Sequence, residues 1–318
     1  MRGKGKIFAI SHTFGDALNY RADHATFSVP APAASVRRAE LFRESPSAMA
    51  ERWALGLAWA LSPKRIHGIP NLVRMCFDEF LAPNHALPDP DTARDRPAGL
   101  AGIVHDFKPA TILEAYRRGL YPHAHVAPLK WWSPPQRSLL FFGETHLAKR
   151  LRRQMRQGQY KITFDRDFDA VVTACAGRRS GRWHLTWITP RVMRAYAELF
   201  DAGHVHTFEV WNEKGELAGG GYGVSVGGAF STESQFSHEP NTSKIGFTVL
   251  NWHLARWDYA FNDGKLMTPT CQDMGFREIP RAEFLTRLAQ AERRPGKSGR
   301  WQVEADLATI ADWQPQAA

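Results

Sequence analysis

The stretch HTFEVWNEKGELAGGGYGVSVGGAFS, His206 to Ser231, decides the fold. His206 to Trp211 (HTFEVW) reads as a β-type run. Glu213-Lys214-Gly215-Glu216 then supplies turn chemistry, and a Gly-rich run from Leu217 to Ser231 follows. Two β-type runs about a glycine turn predict a hairpin. Upstream, Tyr160 to Asp165 alternates like another strand, and Thr189-Pro190 opens a helix that runs to Gly203. Downstream, Thr242 to Trp257 reads as a long apolar helix, with Asn241, Thr242 or Ser243 available as its cap. An extended piece (AFNDGKLM) and a short helix after Pro269 come next. Helices and strands alternating around one hairpin predict an α+β domain with a mixed sheet flanked by helices.

The hairpin's six glycines between Gly219 and Gly228 do not form a phosphate cradle, because no helix-opening GxGxxG or Lys-Ser/Thr follows them. Glycines inside strands mark a bulge or a close approach by a backbone or ligand.

The whole chain has 318 residues, enough for one full core plus a smaller lobe. A hydrophobic content of 43% and a charged content of 23% exclude fibrous and disordered classes. The formal net charge of +9 points to a polyanionic partner, nucleic acid first, or to an ordinary basic enzyme. Three widely spaced cysteines signal neither a zinc site nor a disulfide framework, and they fit a reducing compartment. His123 and His125, or His204 and His206, lack a third ligand, so no metal site is read. The most apolar run, Trp53 to Leu61, is too short to cross a bilayer, and no secretory signal is read. The expected location is cytoplasmic.

Residues 1–86 carry helical signals at Ser45 to Leu61 and Ile69 to Leu81, with Ser45 as cap and Pro46 at the first helical position. They read as an extension of unassigned role. The Pro/Asp-rich Leu87 to Arg96 is a linker. A small lobe is expected over 97–142, with a helix opened by Pro109 and closed by Gly119, then the main domain over 143–290 and a tail over 291–318.

The first chemical signal is a basic helix, His146 to Gln157. Lys149, Arg150, Arg152, Arg153 and Arg156 surround an apolar stripe of Leu147, Leu151 and Met155. Without carboxylates nearby, this reads as RNA contact through phosphate, or else as a solvated face. Arg178, Arg179 and Arg182 make a weaker loop cluster. Trp131, Trp132, Trp183 and Trp187 lie in Pro- and Gly-rich stretches where rings can stack on nucleic-acid bases, or the Trp131-Trp132 pair can plug a core. Glu233 in FSTESQFS and Asp263 in FNDGKL are each either an ordinary loop carboxylate or, in an apolar setting, one that can anchor or deprotonate an ammonium group.

In series, AYRRGLYP, WWSPPQR, TWITP, AYAELFDAGHVHTFEVW, GELAGGGYGV, FSTESQFS, NTSK and GFREIPRAEFL make the chain resemble the bacterial leucyl/phenylalanyl-tRNA–protein transferases over about residues 97–288. The resemblance implies a GNAT-like acyltransferase domain behind a small N-terminal lobe. It also implies transfer of an aminoacyl group from aminoacyl-tRNA to a protein N-terminus, the N-end rule type of protein modification, without cofactor. By position, Trp187 would stack on the terminal adenosine with help from Phe230, Glu233 would fix the aminoacyl moiety, and the basic helix would follow the acceptor stem. Asp263 falls on the family's aspartate. Departures cluster at the same place. Gly264-Lys265 stands where the family has Cys-Gln, His123 replaces a tryptophan, Gly221 and Gln235 replace pocket methionines, and Asn262 replaces an apolar residue. The resemblance thus implies a roomier, more polar pocket; a loss of about two methylenes of contact changes discrimination by ~1–3 kcal/mol. Lys265 is then either a base toward the attacking amine or an ion-pair partner of Asp263. The alternatives to catalysis on tRNA are a non-catalytic tRNA-binding relative and an acyl-CoA-dependent acyltransferase.

Overall fold

A computed structural model describes residues 38–63, 65–178 and 183–315. Among the described residues three helices come first, α1 (Arg38–Leu41), α2 (Pro46–Ala60) and α3 (Ile69–Leu81). Ser45 caps α2, its hydroxyl accepting from the Ala48 N–H at 3.1 Å, and Pro46 takes the first helical position. A small antiparallel sheet follows, made of β1 (Arg94–Asp95), β2 (Ala98–Ile103), β3 (Tyr121–His123) and β4 (Lys130–Trp132), in spatial order β1-β2-β4-β3. The helix α4 (Pro109–Arg117) lies between β2 and β3 in the chain, and Gly119, at φ 74°, turns the backbone out of it.

The larger layer is a seven-stranded sheet. Its strands are β5 (Gln136–Leu140), β6 (Lys161–Phe164), β7 (Val205–Trp211), β8 (Leu217–Val226), β9 (Ala229–Ser237), β10 (Phe261–Lys265) and β11 (Arg277–Pro280). They lie in the order β11-β5-β10-β9-β8-β7-β6. Neighbours are antiparallel except β9 and β10, which run parallel. The helices between and after them are α5 (Lys149–Arg156), α6 (Phe168–Ala176), α7 (Pro190–Asp201), α8 (Thr242–Arg256), α9 (Pro269–Asp273), α10 (Arg281–Glu292) and α11 (Leu307–Ala311). The expected hairpin is β7–β8. The Asn212 side chain closes its turn by accepting from the N–H groups of Lys214 and Glu216.

The sheet has two covered faces. On one, Ile112 and Tyr116 of α4, Val171 and Val172 of α6 and Val192 and Tyr196 of α7 form a core with Tyr222 and Val224 of β8. On the other, Leu151 and Met155 of α5, with Leu250 and Leu254 of α8, pack with Phe208, Phe230 and Trp301. The mixed α+β architecture is thus the one the hairpin predicts.

Two expectations need correction, and one helix was not expected. The strand β5, placed by sequence in a small lobe over 97–142, sits in the large sheet between β11 and β10. Residues 291–318, expected as a tail, are built into the fold as far as they are described: Trp301 is 1% exposed and stacks on His206 with ring centroids 3.6 Å apart. The helix α6 has no counterpart in the sequence reading, because Val171-Val172-Thr173 is β-branched. Asp167 caps it by accepting from the Ala170 N–H, and burial of one face overrides propensity. At α8, Asn241 holds the cap position at φ 67° but makes no capping bond. Ser237 Oγ instead accepts from the Ser243 N–H.

Candidate active site

The site begins at a bulge. Tyr222 faces Ser234 and Gly223 faces Thr232, so Glu233 is the extra residue on β9. The bulge turns both Glu233 and Ser234 toward α4 and α7. Beside it, β9 and β10 pair only from Phe261↔Ala229 to Asp263↔Ser231 and then part.

Glu233 lies at the bottom of that parting with its side chain 1% exposed. The Tyr116 hydroxyl donates to Glu233 Oε1 at 2.5 Å, the Tyr196 hydroxyl to Oε2 at 3.4 Å, and the two tyrosine oxygens are 2.7 Å apart. Lys265 Nζ donates to Glu233 Oε1 at 2.6 Å and to the Thr232 carbonyl at 2.5 Å. Lys265 has φ 66°, a left-handed backbone that is uncommon for a residue with a side chain. Its side chain thereby crosses the gap between the two strands. Burial, then the Glu233 charge, pushes both tyrosine hydroxyls well above their usual range, so they remain donors.

Asp263 is next to this cluster but closed off. Burial alone would raise its carboxyl; Arg137 outweighs that and holds it below the usual carboxylate range. Arg137 Nε and Nη2 donate to the two Asp263 oxygens at 2.8 and 2.7 Å, both side chains being 1% exposed. The Ser231 hydroxyl and the Lys265 N–H supply two further bonds, at 3.0 and 2.8 Å. Lys265 therefore pairs with Glu233 and not with Asp263. The space beside Asp263, where sequence reasoning leaves room for an amine, is taken by Arg137 and the Lys265 backbone.

Next to Ser234, the residue after Glu233, is a slot of about 250 Å³, also lined by Cys175, Trp183, Leu185, Trp187 and Ile188. Trp187 is half-buried, with its ring centroid 5.6 Å from His123 and 6.2 Å from Tyr196. Burial, with His125, Lys265 and Lys130 nearby, pushes His123 down to about 3, so its ring is a neutral plate at physiological pH. Trp132 holds the strand behind it, its indole N–H donating to the His123 carbonyl at 3.0 Å. Trp131 is buried in the core beside Phe107, which settles its role as packing. Trp183 is exposed at the slot's rim.

Four residues expected in the aminoacyl-adenosine pocket lie elsewhere. Phe230 is 1% exposed on the opposite sheet face, 5.7 Å from the Trp301 ring. A Cβ at Gly221 would come within 2.7 Å of Phe208 Cζ, so the volume freed by that glycine is filled by a phenylalanine. Gln235 faces Gly221 across the strand pair and is half-buried. Asn262 accepts from the Thr232 hydroxyl and donates to Asn251 Oδ1, each at 2.8 Å, tying β9, β10 and α8 together. The alternation along β9 sends Phe230 and Thr232 to the α8 side and Ser231 and Glu233 to the other.

The basic helix α5 also packs on the α8 side, through Leu151 and Met155. Lys149, Arg150 and Arg153 are exposed. Arg152 donates to the Ala311 carbonyl and Arg156 pairs with Asp312, so the C-terminal segment occupies two of the five cations. In the loop cluster, Arg178 pairs with Glu51, while Arg179 and Arg182 lie outside the described residues. Sequence reasoning missed Tyr116, Tyr196 and Arg137, each inside a motif it quoted. A tyrosine on an amphipathic helix reads as core, and nothing local marks an arginine that is buried.

Comparison with known proteins matches a family model described as leucyl/phenylalanyl-tRNA protein transferase to residues 139–289, and the model of that family's N-terminal domain to 105–135. Among individual relatives, the leucyl/phenylalanyl-tRNA–protein transferase of Anaeromyxobacter sp. (strain Fw109-5) is 43% identical over 221 residues, 69% of this chain and 93% of that protein. The protein of the same description from Alkalilimnicola ehrlichii is 38% identical over 230 residues, 72% of this chain and 89% of its own length. No helix among the described residues is long and apolar enough to cross a membrane.

Proposed function

The chain belongs to the leucyl/phenylalanyl-tRNA–protein transferase family, and from that premise we propose that it moves an aminoacyl group from an aminoacyl-tRNA to an amine, the N-terminus of a protein or peptide. The observation that carries this reading is the buried Glu233–Lys265–Tyr116–Tyr196 cluster where two parallel strands part, with the ring of Trp187, which lines the neighbouring slot, 6.2 Å from Tyr196. The same parting, between central strands flanked by helices on both faces, supports a GNAT-like description of the domain.

In this reading the terminal adenosine stacks on Trp187 beside the His123 plate. Glu233, the carboxylate of that cluster, takes the α-ammonium of the aminoacyl group by exchanging one of its present donors. The Lys265 ammonium, once released from Glu233, faces the ester carbonyl and stabilises the oxyanion that forms there. The acceptor amine attacks that carbonyl as the neutral form. Its nitrogen bonds to the carbonyl carbon, the bond to the ribose oxygen breaks, and the ammonium proton passes to that oxygen. Asp263 is a positioning residue: it fixes Arg137 and the Lys265 backbone and does not receive the proton. The ester is already activated, so positioning and charge stabilisation suffice, and no cofactor enters. Lys149, Arg150 and Arg153 are the cations assigned to RNA phosphate, and the reading places the protein in the cytoplasm with charged tRNA.

The test supplies the protein with a complete pool of tRNAs charged with labelled amino acids and a peptide with a free N-terminus. Label in the peptide, lost with Glu233→Gln and Lys265→Met, is the expected result. Binding of tRNA without label transfer from any member of the pool identifies a non-catalytic relative. Transfer that requires acyl-CoA instead defeats the assignment.

A further inference from the structure

The candidate site has a border that the family models do not reach. They match residues 105–135 and 139–289, and α2 precedes both. Helix α2 is nonetheless fixed against the site at two points. Gly56, its one buried residue, sits so close to the loop between β3 and β4 that a Cβ there would come within 2.7 Å of the His125 carbonyl oxygen. Glu51 pairs with Arg178, the residue after Gly177 in the slot's lining.

This docking brings Trp59 into a file of rings. From centroid to centroid, Trp187 lies 5.6 Å from His123, His123 4.5 Å from His125, and His125 4.7 Å from Trp59. Successive planes turn by 44°, 87° and 65°, so no ring is sandwiched flat against its neighbour. All four side chains are partly exposed. At the far end, just past α2, the Arg65 guanidinium lies 4.0 Å from the centre of the Trp59 ring.

The charges suit a polyanion with flat bases. Arg65 is exposed, and no carboxylate among the described residues pairs with it. The carboxylates of this region are already engaged: Glu44 with Arg52, Glu51 with Arg178 and Glu79 with His105. Burial, then the Arg65 and Lys130 charges, push His125 below the usual imidazole range, so it is neutral like His123. Rings that take bases, ending in a cation that takes phosphate, are how single-stranded nucleic acid is held. An extended peptide is held through main-chain hydrogen bonds, which a file of ring faces does not supply.

We propose that Trp59 and Arg65, with His123 and His125 between them and Trp187, hold the unpaired nucleotides that precede the terminal adenosine of the tRNA. Helix α2 thereby completes the RNA site. The inference rests on the transfer reading, in which that adenosine stacks on Trp187.

Titration of the full chain with fluorescently labelled, uncharged tRNA, intact or trimmed of its unpaired CCA end, tests this without requiring transfer. Trp59→Ala is expected to weaken binding of intact tRNA roughly tenfold or more and to leave binding of trimmed tRNA as it was. Trp59→Phe, which keeps a ring, retains most of the affinity. Arg65→Ala, at an exposed position, lowers the slope of log affinity against log salt by about one for intact tRNA. An equal loss on both tRNAs in Trp59→Ala, or no loss on either, overturns the proposal, as does an unchanged salt slope in Arg65→Ala. A raised KM for the acceptor peptide in Trp59→Ala, with tRNA binding intact, also overturns it and assigns the rings to the peptide. If labelled amino acid is transferred while Trp59→Ala treats both tRNAs alike, this inference falls and the transfer reading stands. If the two tRNAs are told apart through Trp59 and no transfer occurs, the transfer reading falls alone.

Discussion

The two faces of the seven-stranded sheet are made by the same strands and do different work. On the face toward α4 and α7, β9 presents Ser231 and Glu233 and β10 presents Asp263, which all meet hydroxyls or charges, and after its bulge β9 presents Ser234 to the slot. On the face toward α8, the same strands present Phe230, Thr232 and Asn262, beside glycines at 219, 221 and 223. There a Cβ would strike Thr242, Phe208 or Phe230 within 2.4–2.7 Å. One face holds chemistry and the other holds the layers together. A shift of a single residue exchanges the two roles.

That comparison can be broken by substitutions on each side. The largest expected effect is at Asp263→Asn, which strands the Arg137 charge in the interior. Stability falls by about 3–5 kcal/mol and transfer is lost, read by denaturant unfolding and by label transfer. A variant that unfolds normally yet is inactive would move Asp263 from positioning to direct chemistry. Trp301→Ala, on the packing face, comes next. Removing a buried indole costs about 3–5 kcal/mol in unfolding free energy, while transfer measured well below the melting temperature keeps its kcat.

Glu209 sharpens the contrast on the chemistry face, because it is a fully buried carboxylate held by hydroxyls and backbone N–H groups. It accepts from Thr207, Thr163 and the Arg166 N–H, and burial raises its carboxyl to about 7. A raised carboxyl favours the folded state while protonated. Stability should therefore be greatest below the ordinary glutamate value, fall as pH rises toward 7, and level off above it. The total is roughly 3 kcal/mol. Urea midpoints across that window check the slope, and Glu209→Gln should flatten it without touching transfer. The smallest effect is at Trp187→Ala, which loses a stacking surface of ~1–3 kcal/mol, raises KM for charged tRNA some ten- to hundredfold, and leaves the melting temperature in place.

The same division explains what the sequence could show. Periodicity located the hairpin, α7, α8 and the stripe on α5, because burial on one side leaves a visible pattern. Ser45 and Pro46 gave the start of α2 to the residue. Glu233 stood out as a carboxylate in an apolar setting and Lys265 as a departure from the family's glutamine; the ion pair considered for Lys265 was with Asp263, and the one it makes is with Glu233. Phe230 and Gly221 were assigned to the pocket because motif order says which strand a residue is on and not which side it faces. The bulge at Glu233 reverses that side within one residue, and no local composition announces it. Arg137 was hidden for another reason: its partner is 126 positions away in sequence, and only the pairing of β5 with β10 brings them together.

Trp301, flat against His206 and donating its backbone N–H to Asp165 at 2.8 Å, sets an order for biosynthesis. Helix α8 and the strands beneath it emerge from the ribosome first, with one hydrophobic flank bare. They must wait for the indole and for Ile310 behind it before that flank is sealed. A nascent chain therefore carries that flank bare until Trp301 and Ile310 have followed, and a premature stop anywhere before Trp301 leaves it unsealed.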